Sequence, residues 1–281
     1  MIEYIIIAIL QGLFEWLPIS SSGQVFIVAT NIFGISAQEA YSLAIWLHLG
    51  TTLAVLVKFH KEYIIVLKSL LPQKFILDDK DIKLRNWIII ATLGTAITGI
   101  PLYIFFKFIV ISDFTAIQGD VITLLVCGLL IITGIILLAR KNIYGEKTIE
   151  VLSDDLFQSD SFLTGLAQGV SILPGISRSG ITVSAILLEN YEQDHALRLS
   201  FLISVPVAFA SIGVDIIFGS GSVLGILNPL VIIVTTLISF LIGFLTMEIL
   251  LRFAKKIEFG YFCVFYGIIA YIIIIPAFFI P

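Results

Sequence analysis

The sequence predicts an all-α integral membrane protein made of two inverted repeats, each with a re-entrant helix pair and three transmembrane helices. The first observation is compositional: 59% of the 281 residues are hydrophobic, only 13% are charged, and the mean hydropathy is +1.10. So few charged residues cannot cover a surface that faces water. The second is a break rich in Pro, Gly and Ser that occurs twice, in residues 11–24 and 168–181. The third is that Lys and Arg collect in alternate loops, as in multi-pass membrane proteins.

The two breaks are weak copies of one another, separated by 157 positions. Membrane proteins with internal repeats use such broken helices to build a binding site near the bilayer midplane. One copy carries a carboxylate, Glu15, and the other carries a guanidinium, Arg178, which indicates a site for an anionic group. The residues that coincide are Gln11 with Gln168, Gly12 with Gly169, Ser20 with Ser177, Ser22 with Ser179 and Gly23 with Gly180.

About ten helical segments are expected, because a spanning helix needs about 20 apolar residues and shorter helices must end inside the membrane or at its surface. Each short pair around a break is predicted to enter the membrane, turn and leave on the same side, with a kinked spanning helix as the alternative. The six segments of spanning length are 38–59, 86–109, 118–140, 193–218, 226–250 and 257–280. The four short segments are 2–17, 20–34, 161–173 and 177–190.

The distribution of positive charge predicts the topology. Of sixteen Lys and Arg residues, all but Lys107 and Arg178 lie in or beside loops on one side, such as 60–85, 141–160 and 251–257. By the positive-inside rule that side is cytoplasmic, so both termini of this multi-pass protein of the cell membrane face outward. Kinked spanning helices in place of the re-entrant pairs would also leave the two halves of the chain inverted, so the charge distribution agrees with either topology.

The chain is therefore expected to form a single membrane domain. Repeat one covers residues 1–140, a solvated cytoplasmic linker covers 141–160, and repeat two covers 161–281. The N-terminus lacks the basic region of a cleavable signal, so the first apolar segment is expected to stay in the mature protein.

The polar residues of the two breaks predict an anion site near the midplane that opens to the extracytoplasmic side. Helices are predicted to start at residues 20–23 and 177–180, and helix N-termini present free N–H groups and partial positive charge. Arg178 adds donors that suit phosphate oxygens, and an Arg178–Glu15 pair that only joins the two repeats is the alternative. The expected phosphate-binding residues are Ser20, Ser22, Gly23, Ser177, Arg178, Ser179, Gly180 and Thr182.

Glu15 and Gln11 lie four residues apart, on one face of the first short helix. A carboxylate and an amide oxygen can hold a divalent cation that bridges to phosphate. Glu15 could instead act as a base toward a serine or a water, and Gln11 could serve only to satisfy the broken backbone. The residues alone leave these alternatives open.

Two motifs carry a resemblance to a known family. They are Gln11-x-x-x-Glu15 followed by Pro18-Ile19-Ser20-Ser21-Ser22-Gly23, and Pro174-Gly175-Ile176-Ser177-Arg178-Ser179-Gly180-Ile181-Thr182. With them the chain resembles the undecaprenyl-diphosphate phosphatases, also called bacitracin-resistance proteins, over nearly its whole length. The resemblance implies a membrane enzyme that hydrolyses a polyprenyl diphosphate to its monophosphate, recycling the lipid carrier for cell-wall or surface-glycan synthesis.

The resemblance also implies roles for individual residues. It makes Glu15, Ser21 and Arg178 catalytic, and it implies a divalent cation, Mg²⁺ or Ca²⁺, held by Glu15 and Gln11. The expected partners are the polyprenyl diphosphate and membrane lipid; no nucleic acid is expected, and a homodimer is left open. The fold that it implies is the one with two inverted repeats, each containing a re-entrant helix pair.

One position departs from the family pattern. Members commonly have a catalytic His directly after the Ser-Ser-x-Gly segment, where this chain has Gln24. Glutamine cannot exchange a proton near neutral pH, so Glu15 is predicted to do the acid–base work alone. The alternatives are that this histidine is dispensable or that the activity has changed. His48, in the middle of segment 38–59, is interpreted as a hydrogen-bonded packing residue, with an approach to the site as the alternative.

Transport is the competing function. Inverted repeats with broken helices also occur in transporters, so the same anion site could carry a polyprenyl phosphate lipid across the bilayer without hydrolysis. Release of inorganic phosphate in detergent separates the two functions. The sequence leaves open whether Ser21 or a water is the nucleophile, which prenyl chain length is used and which glycan pathway is served.

Overall fold

The computed structural model describes residues 1–17, 21–70, 78–105, 147–149, 154–172, 177–218 and 227–254, with scattered positions in 128–138 and 258–275 and at 225. The described residues are almost entirely helical. Their helices are α1 Ile2–Phe14, α2 Ser21–Ile27 with a π-helical continuation Val28–Ile32, α3 Ala37–Lys58, α4 His60–Leu70, α5 Asp79–Phe105, α6 Asp154–Val170, α7 Arg178–Leu188, α8 Gln193–Phe218 and α9 Pro229–Ala254.

Four of these helices are long and apolar enough to cross a membrane, namely α3, α5, α8 and α9. They match the predicted spans 38–59, 86–109, 193–218 and 226–250, which confirms an all-helical membrane protein. The other two predicted spans lie largely outside the described residues. Those of their positions that the structure does describe, such as 131–132 and 271–272, are helical except for 258.

Two segments predicted as cytoplasmic loop or linker contain helix. Segment 60–85 contains α4 and the first residues of α5. In α4, Val66 packs into the core while Lys61 remains exposed, so the segment folds as a helix against the protein. The segment predicted as a solvated linker contains the start of α6, and Asp160 in that helix is 7% exposed. Lys147 Nζ lies 3.6 Å from Asp160 Oδ2 and compensates the buried charge.

The helices of the two halves of the chain pack reciprocally. Helix α1 lies against α9, and α6 lies against α5. A Cβ atom added at Gly12 would lie 2.8 Å from Gly243 N, and one at Gly169 would lie 2.8 Å from Gly99 N. Backbones that approach this closely exclude any larger residue, as is usual where membrane helices cross. The glycines of both repeated breaks therefore hold their helices against a long helix from the other half of the chain.

A proline inside α8 exposes a backbone acceptor near the breaks. Pro206 has no N–H, so the carbonyl of Leu202 one turn earlier loses its helical partner. The Tyr63 hydroxyl, from α4, donates to Leu202 O. The next carbonyl, Ile203 O, accepts from Gln168 Nε2 at 3.3 Å. Helix α8 thus offers a row of carbonyl oxygens to polar side chains from other helices.

Glu189, a half-buried glutamate, directly follows the C-terminal end of α7. Thr164 Oγ1 donates to Glu189 Oε2 at 3.1 Å. Burial, reinforced by the neighbouring carboxylate of Asp160, raises the pKa of Glu189 to about 8, and Thr164 and Lys147 act in the opposite direction. Glu189 is therefore mostly protonated at neutral pH in the folded protein.

We expect Glu189→Gln to stabilise the protein at alkaline pH. The unfolded chain releases this proton near pH 4.5 and the folded protein holds it up to about pH 8, so the wild type loses stability across that window. Glutamine has no proton to lose. The thermal midpoint of the Glu189→Gln variant at pH 8 should therefore exceed that of the wild type by at least about 2–4 °C, which corresponds to about 1 kcal/mol in a chain of this size. Thermal unfolding at pH 4.5 and pH 8 measures this. The exposed Glu192→Gln is the control, and equal midpoints for Glu189→Gln and wild type at both pH values would contradict the prediction.

Candidate active site

The carboxylate of Glu15 is the centre of the polar cluster. It lies directly after α1, and its side chain is 2% exposed. Arg178 Nη2 donates to Glu15 Oε1. The other oxygen, Oε2, accepts from Gln11 Nε2 at 2.5 Å and from Ser21 Oγ at 2.9 Å, and His48 Nε2 lies 3.4 Å away. Four side chains from four different helices therefore converge on one buried carboxylate.

The backbone of residues 15–17 is fixed from two sides. Trp16 Nε1 donates to Gly243 O in α9 at 2.7 Å, and its ring packs edge-on against Phe201. On the other side, Ser179 Oγ donates to Leu17 O at 2.9 Å, with Glu15 O at 3.3 Å. The position of Glu15 is therefore set by contacts with the second half of the chain as well as by its own helix.

Helix α7 begins at the site as the sequence predicts. Ser177 is its N-cap, and the Ser177 hydroxyl accepts from Gly180 N at 3.1 Å. This is the standard side-chain cap of a helix N-terminus, and it sets Arg178 at the first position of the helix. The guanidinium also reaches α8, where Nη1 donates to Ser204 O at 3.4 Å. Arg178 is thus positioned by a cap, a carboxylate and a carbonyl.

The structure brings together four of the predicted site residues: Glu15, Gln11, Ser21 and Arg178. The hydroxyls of Ser177 and Ser179 contact backbone carbonyls of residues 15–17, and Thr182 Oγ1 donates to Arg178 O at 2.6 Å. In this arrangement the hydroxyl protons of Ser177, Ser179 and Thr182 form hydrogen bonds that position the backbone of the site. Ser22 and Gly23 lie half-buried in the first turn of α2, Gly180 is buried in the first turn of α7, and Ser20 is outside the described residues.

His48 makes a packing hydrogen bond and also approaches Glu15, which was the alternative that the sequence left open. Its Nδ1 lies 2.7 Å from Ala44 O, and its Nε2 faces Glu15. The sequence signal that could have found it is a polar stripe on an apolar helix: Thr51 and Thr52, three and four residues further along α3, are 1% and 3% exposed. Gln24, in the position of the family's usual histidine, is half-buried in α2.

Gln11 has a feature that matters for cation binding. The residue is 0% exposed, and its Oε1 has no hydrogen-bond partner among the residues that the structure describes. A buried amide oxygen without a donor is unfavourable unless another group supplies the contact. A carboxylate and an uncompensated amide oxygen are the oxygen ligands that a divalent cation prefers, so the residues present fit such an ion.

Taken together, these helices and this site define an integral membrane protein with a buried carboxylate, guanidinium and hydroxyl suited to an anionic group. The family model described as bacitracin resistance protein BacA matches residues 4–272. The chain belongs to that family, which confirms the resemblance seen in its motifs.

Curated relatives are similar over most of their length. A protein of Methanothrix thermoacetophila named undecaprenyl-diphosphatase is 38% identical over 268 residues, covering 95% of this chain and 94% of the relative. One of Methanococcoides burtonii with the same name is 38% identical, covering 95% of this chain and 96% of the relative. One of Saccharolobus islandicus, again with this name, is 35% identical and covers 89% and 87% respectively.

Proposed function

We propose that this protein is a polyprenyl-diphosphate phosphatase, which hydrolyses a lipid diphosphate to the lipid monophosphate and inorganic phosphate. The observation that carries the proposal is the joint contact of Arg178 and Ser21 with Glu15 inside a buried site. The curated relatives named undecaprenyl-diphosphatase support the same reaction. The substrate is a polyprenyl diphosphate lipid of the membrane, and the reaction returns the carrier for reuse.

The proposed chemistry starts from the hydrogen bond between Ser21 and Glu15. Ser21 Oγ already donates to Glu15 Oε2 at 2.9 Å, the geometry that a general base needs to take the proton of an attacking hydroxyl. The Ser21 oxygen then bonds to the terminal phosphorus, the bond to the bridging oxygen breaks, and the polyprenyl monophosphate leaves. Water releases the phosphate from Ser21 in a second step. A water held by Glu15 in place of the hydroxyl gives the same products in one step.

Arg178 provides positive charge where the phosphates would lie. With no phosphate bound its guanidinium is paired with Glu15, so the two charges compensate each other inside the protein. A bound diphosphate would compete for the guanidinium and free the carboxylate for proton transfer. Positioning and charge compensation supply most of the rate enhancement in phosphoryl transfer.

A divalent cation is part of the proposal, and the resemblance implies Mg²⁺ or Ca²⁺. Glu15 and Gln11 would hold it, and the support is the Gln11 amide, whose nitrogen contacts the carboxylate and whose buried oxygen has no partner among the described residues. When bound, the ion would neutralise charge on the phosphate oxygens. The lipid would reach the site from within the bilayer; a homodimer stays a prediction.

The proposed architecture is two inverted repeats, each with a re-entrant helix pair, in the cell membrane. Both termini would face outward and the site would open to the extracytoplasmic side. The support is the reciprocal packing of α1 on α9 and α6 on α5, with a glycine of each repeated break at a close backbone approach. Neither short helix α1 nor α7 has the length of a span.

We expect purified wild-type protein to release inorganic phosphate from undecaprenyl diphosphate in detergent, and to do so only with a divalent cation present. The matched variant Gln24→His tests the departure at the family's histidine, and we expect it to change the rate by less than about tenfold, because Glu15 and Ser21 are already in contact. A transporter would release no phosphate. Folded wild type that stays inactive while Gln24→His is active would show that the native protein has another function.

A further inference from the structure

The imidazole of His48 is oriented in the way typical of a metal ligand. Its Nδ1 lies 2.7 Å from the carbonyl oxygen of Ala44, one turn earlier in α3. A carbonyl oxygen can only accept, so the Nδ1 proton is donated there, and in the neutral ring Nε2 carries a lone pair. Metal-binding histidines characteristically donate their second N–H to a backbone carbonyl or carboxylate in this way, which fixes the tautomer and directs the other nitrogen at the ion.

Nε2 faces an oxygen of the Glu15 carboxylate. The distance from His48 Nε2 to Glu15 Oε2 is 3.4 Å, longer than a good N–H···O hydrogen bond. Two ligand atoms that each lie about 2.0–2.2 Å from one metal ion are separated by about 3–3.5 Å at octahedral or tetrahedral angles. The separation of these two atoms is therefore that of neighbouring ligands on a shared cation.

The third group at this point is the amide of Gln11. Its nitrogen lies 2.5 Å from Glu15 Oε2, and its oxygen is buried without a partner among the described residues. Rotation of the amide about its last bond exchanges the two atoms and turns the oxygen toward the carboxylate, where only a cation would stabilise it. Glu15, His48 and Gln11 thus offer one carboxylate oxygen, one imidazole nitrogen and one amide oxygen.

We propose that His48 is a ligand of the divalent cation, and that this nitrogen makes the site bind Mn²⁺ more tightly than Mg²⁺ or Ca²⁺. Mg²⁺ and Ca²⁺ take oxygen ligands, whereas imidazole suits first-row transition ions, and Mn²⁺ also accepts carboxylate and carbonyl oxygens. The inference deepens the proposed function and rests on it for the role of the ion, although binding is measurable without turnover.

The charges of the site agree with this assignment. Arg178 contacts Glu15 Oε1, so an ion would lie on the side of Oε2, where it would replace the hydrogen bond from Gln11 Nε2. The carboxylate and the guanidinium together carry no net charge. A divalent cation would give the site two positive charges, which complement a diphosphate. The pair of Glu15 and Arg178 alone would not attract a diphosphate.

The test is pulsed electron paramagnetic resonance of Mn²⁺ bound to the purified full-length protein in detergent. We expect the wild type to show hyperfine modulation from a coordinated imidazole nitrogen, and isotopic labelling of histidine to shift it. His48→Gln should abolish the modulation and raise the dissociation constant for Mn²⁺ at least tenfold. His60→Gln is the control: His60 Nδ1 likewise lies 3.0 Å from a carbonyl one turn earlier, but that ring is exposed at the start of α4.

Three results would overturn the proposal: no Mn²⁺ bound by the wild type, bound Mn²⁺ without nitrogen modulation, or modulation that persists in His48→Gln. Phosphate release measured on the same samples separates this inference from the proposed function. Release without nitrogen coordination refutes the role of His48 and leaves the phosphatase intact. Nitrogen coordination without release under any condition refutes the phosphatase and leaves the metal ligand.

Discussion

We expect Arg178→Lys to lower phosphate release by about 10²–10³-fold while the protein stays folded. Lysine keeps the positive charge, so Glu15 is not left alone as a buried anion, a change that would cost about 3–5 kcal/mol. What lysine loses is the planar fork that contacts Glu15 and Ser204 O from two nitrogens. Only a guanidinium at position 178 can donate hydrogen bonds to two phosphate oxygens while it keeps its contact with Ser204 O of α8.

The matched control for this variant is Arg198→Lys. Arg198 also pairs with a glutamate, Glu62, at 3.0 Å, but its side chain is 46% exposed and lies away from Glu15. Its replacement should leave phosphate release unchanged. Both variants are to be compared by steady-state phosphate release and by thermal unfolding. Turnover of Arg178→Lys close to wild type, at an unchanged thermal midpoint, would mean that position 178 needs only a charge and that the proposed recognition is wrong.

Much of this site could be predicted from local sequence signals. Pro, Gly and Ser act on the backbone within a few residues, so the break that ends in Ser177 was sufficient to place the start of α7 and its capping side chain. A buried Arg178 needs an anion, and Glu15 in the equivalent break was the available carboxylate in apolar surroundings. The sequence carried a contact between Arg178 and Glu15 only as the alternative to a phosphate site, and the structure shows that contact.

The groups that come from other helices could not be predicted in the same way. His48 lies on α3, and nothing local to Glu15 determines which face of that helix is turned to the site. The carbonyl of Leu202 becomes available through Pro206, but only the packing of α4 on α8 decides that Tyr63 reaches it. The sequence could give the approach of His48 to Glu15 only as an alternative, because long-range packing, rather than periodicity, sets its neighbours.

Two ordered segments were predicted as a loop and a linker because of their charged residues. Lys61 and Lys68 indicated a loop, yet the residues between them repeat at helical spacing and form α4. Similarly, the acidic stretch before residue 161 indicated solvation, although Asp160 is compensated by Lys147 and buried. Charged residues at the ends of membrane helices fold against the protein when a partner of opposite sign is within reach.

We expect Glu15→Gln to give the largest loss of activity, a fall in kcat of about 10³–10⁴-fold. Glutamine has nearly the same shape and can still accept a hydrogen bond from Ser21 through its amide oxygen, although it leaves the buried charge of Arg178 uncompensated at a cost of about 3–5 kcal/mol. It cannot take the proton of the attacking hydroxyl, and it is a much poorer ligand for a cation. The chemical step therefore fails while the surroundings of the substrate remain.

The Michaelis constant separates this role from a purely structural one. In the wild type Arg178 is paired with Glu15, and a diphosphate has to compete for that guanidinium. Glu15→Gln removes the competitor, so substrate binding through Arg178 should be unchanged or tighter even as kcat collapses. A variant with normal kcat and a raised KM would instead show that Glu15 only holds Arg178 in place. Glu39→Gln is the control. Glu39 is a half-buried glutamate on α3, before the site, and like Glu15 it accepts a side-chain hydrogen bond, in this case from Tyr4 at 2.7 Å. Its kinetics should match those of the wild type, since the loss depends on a carboxylate in contact with Ser21 and Arg178.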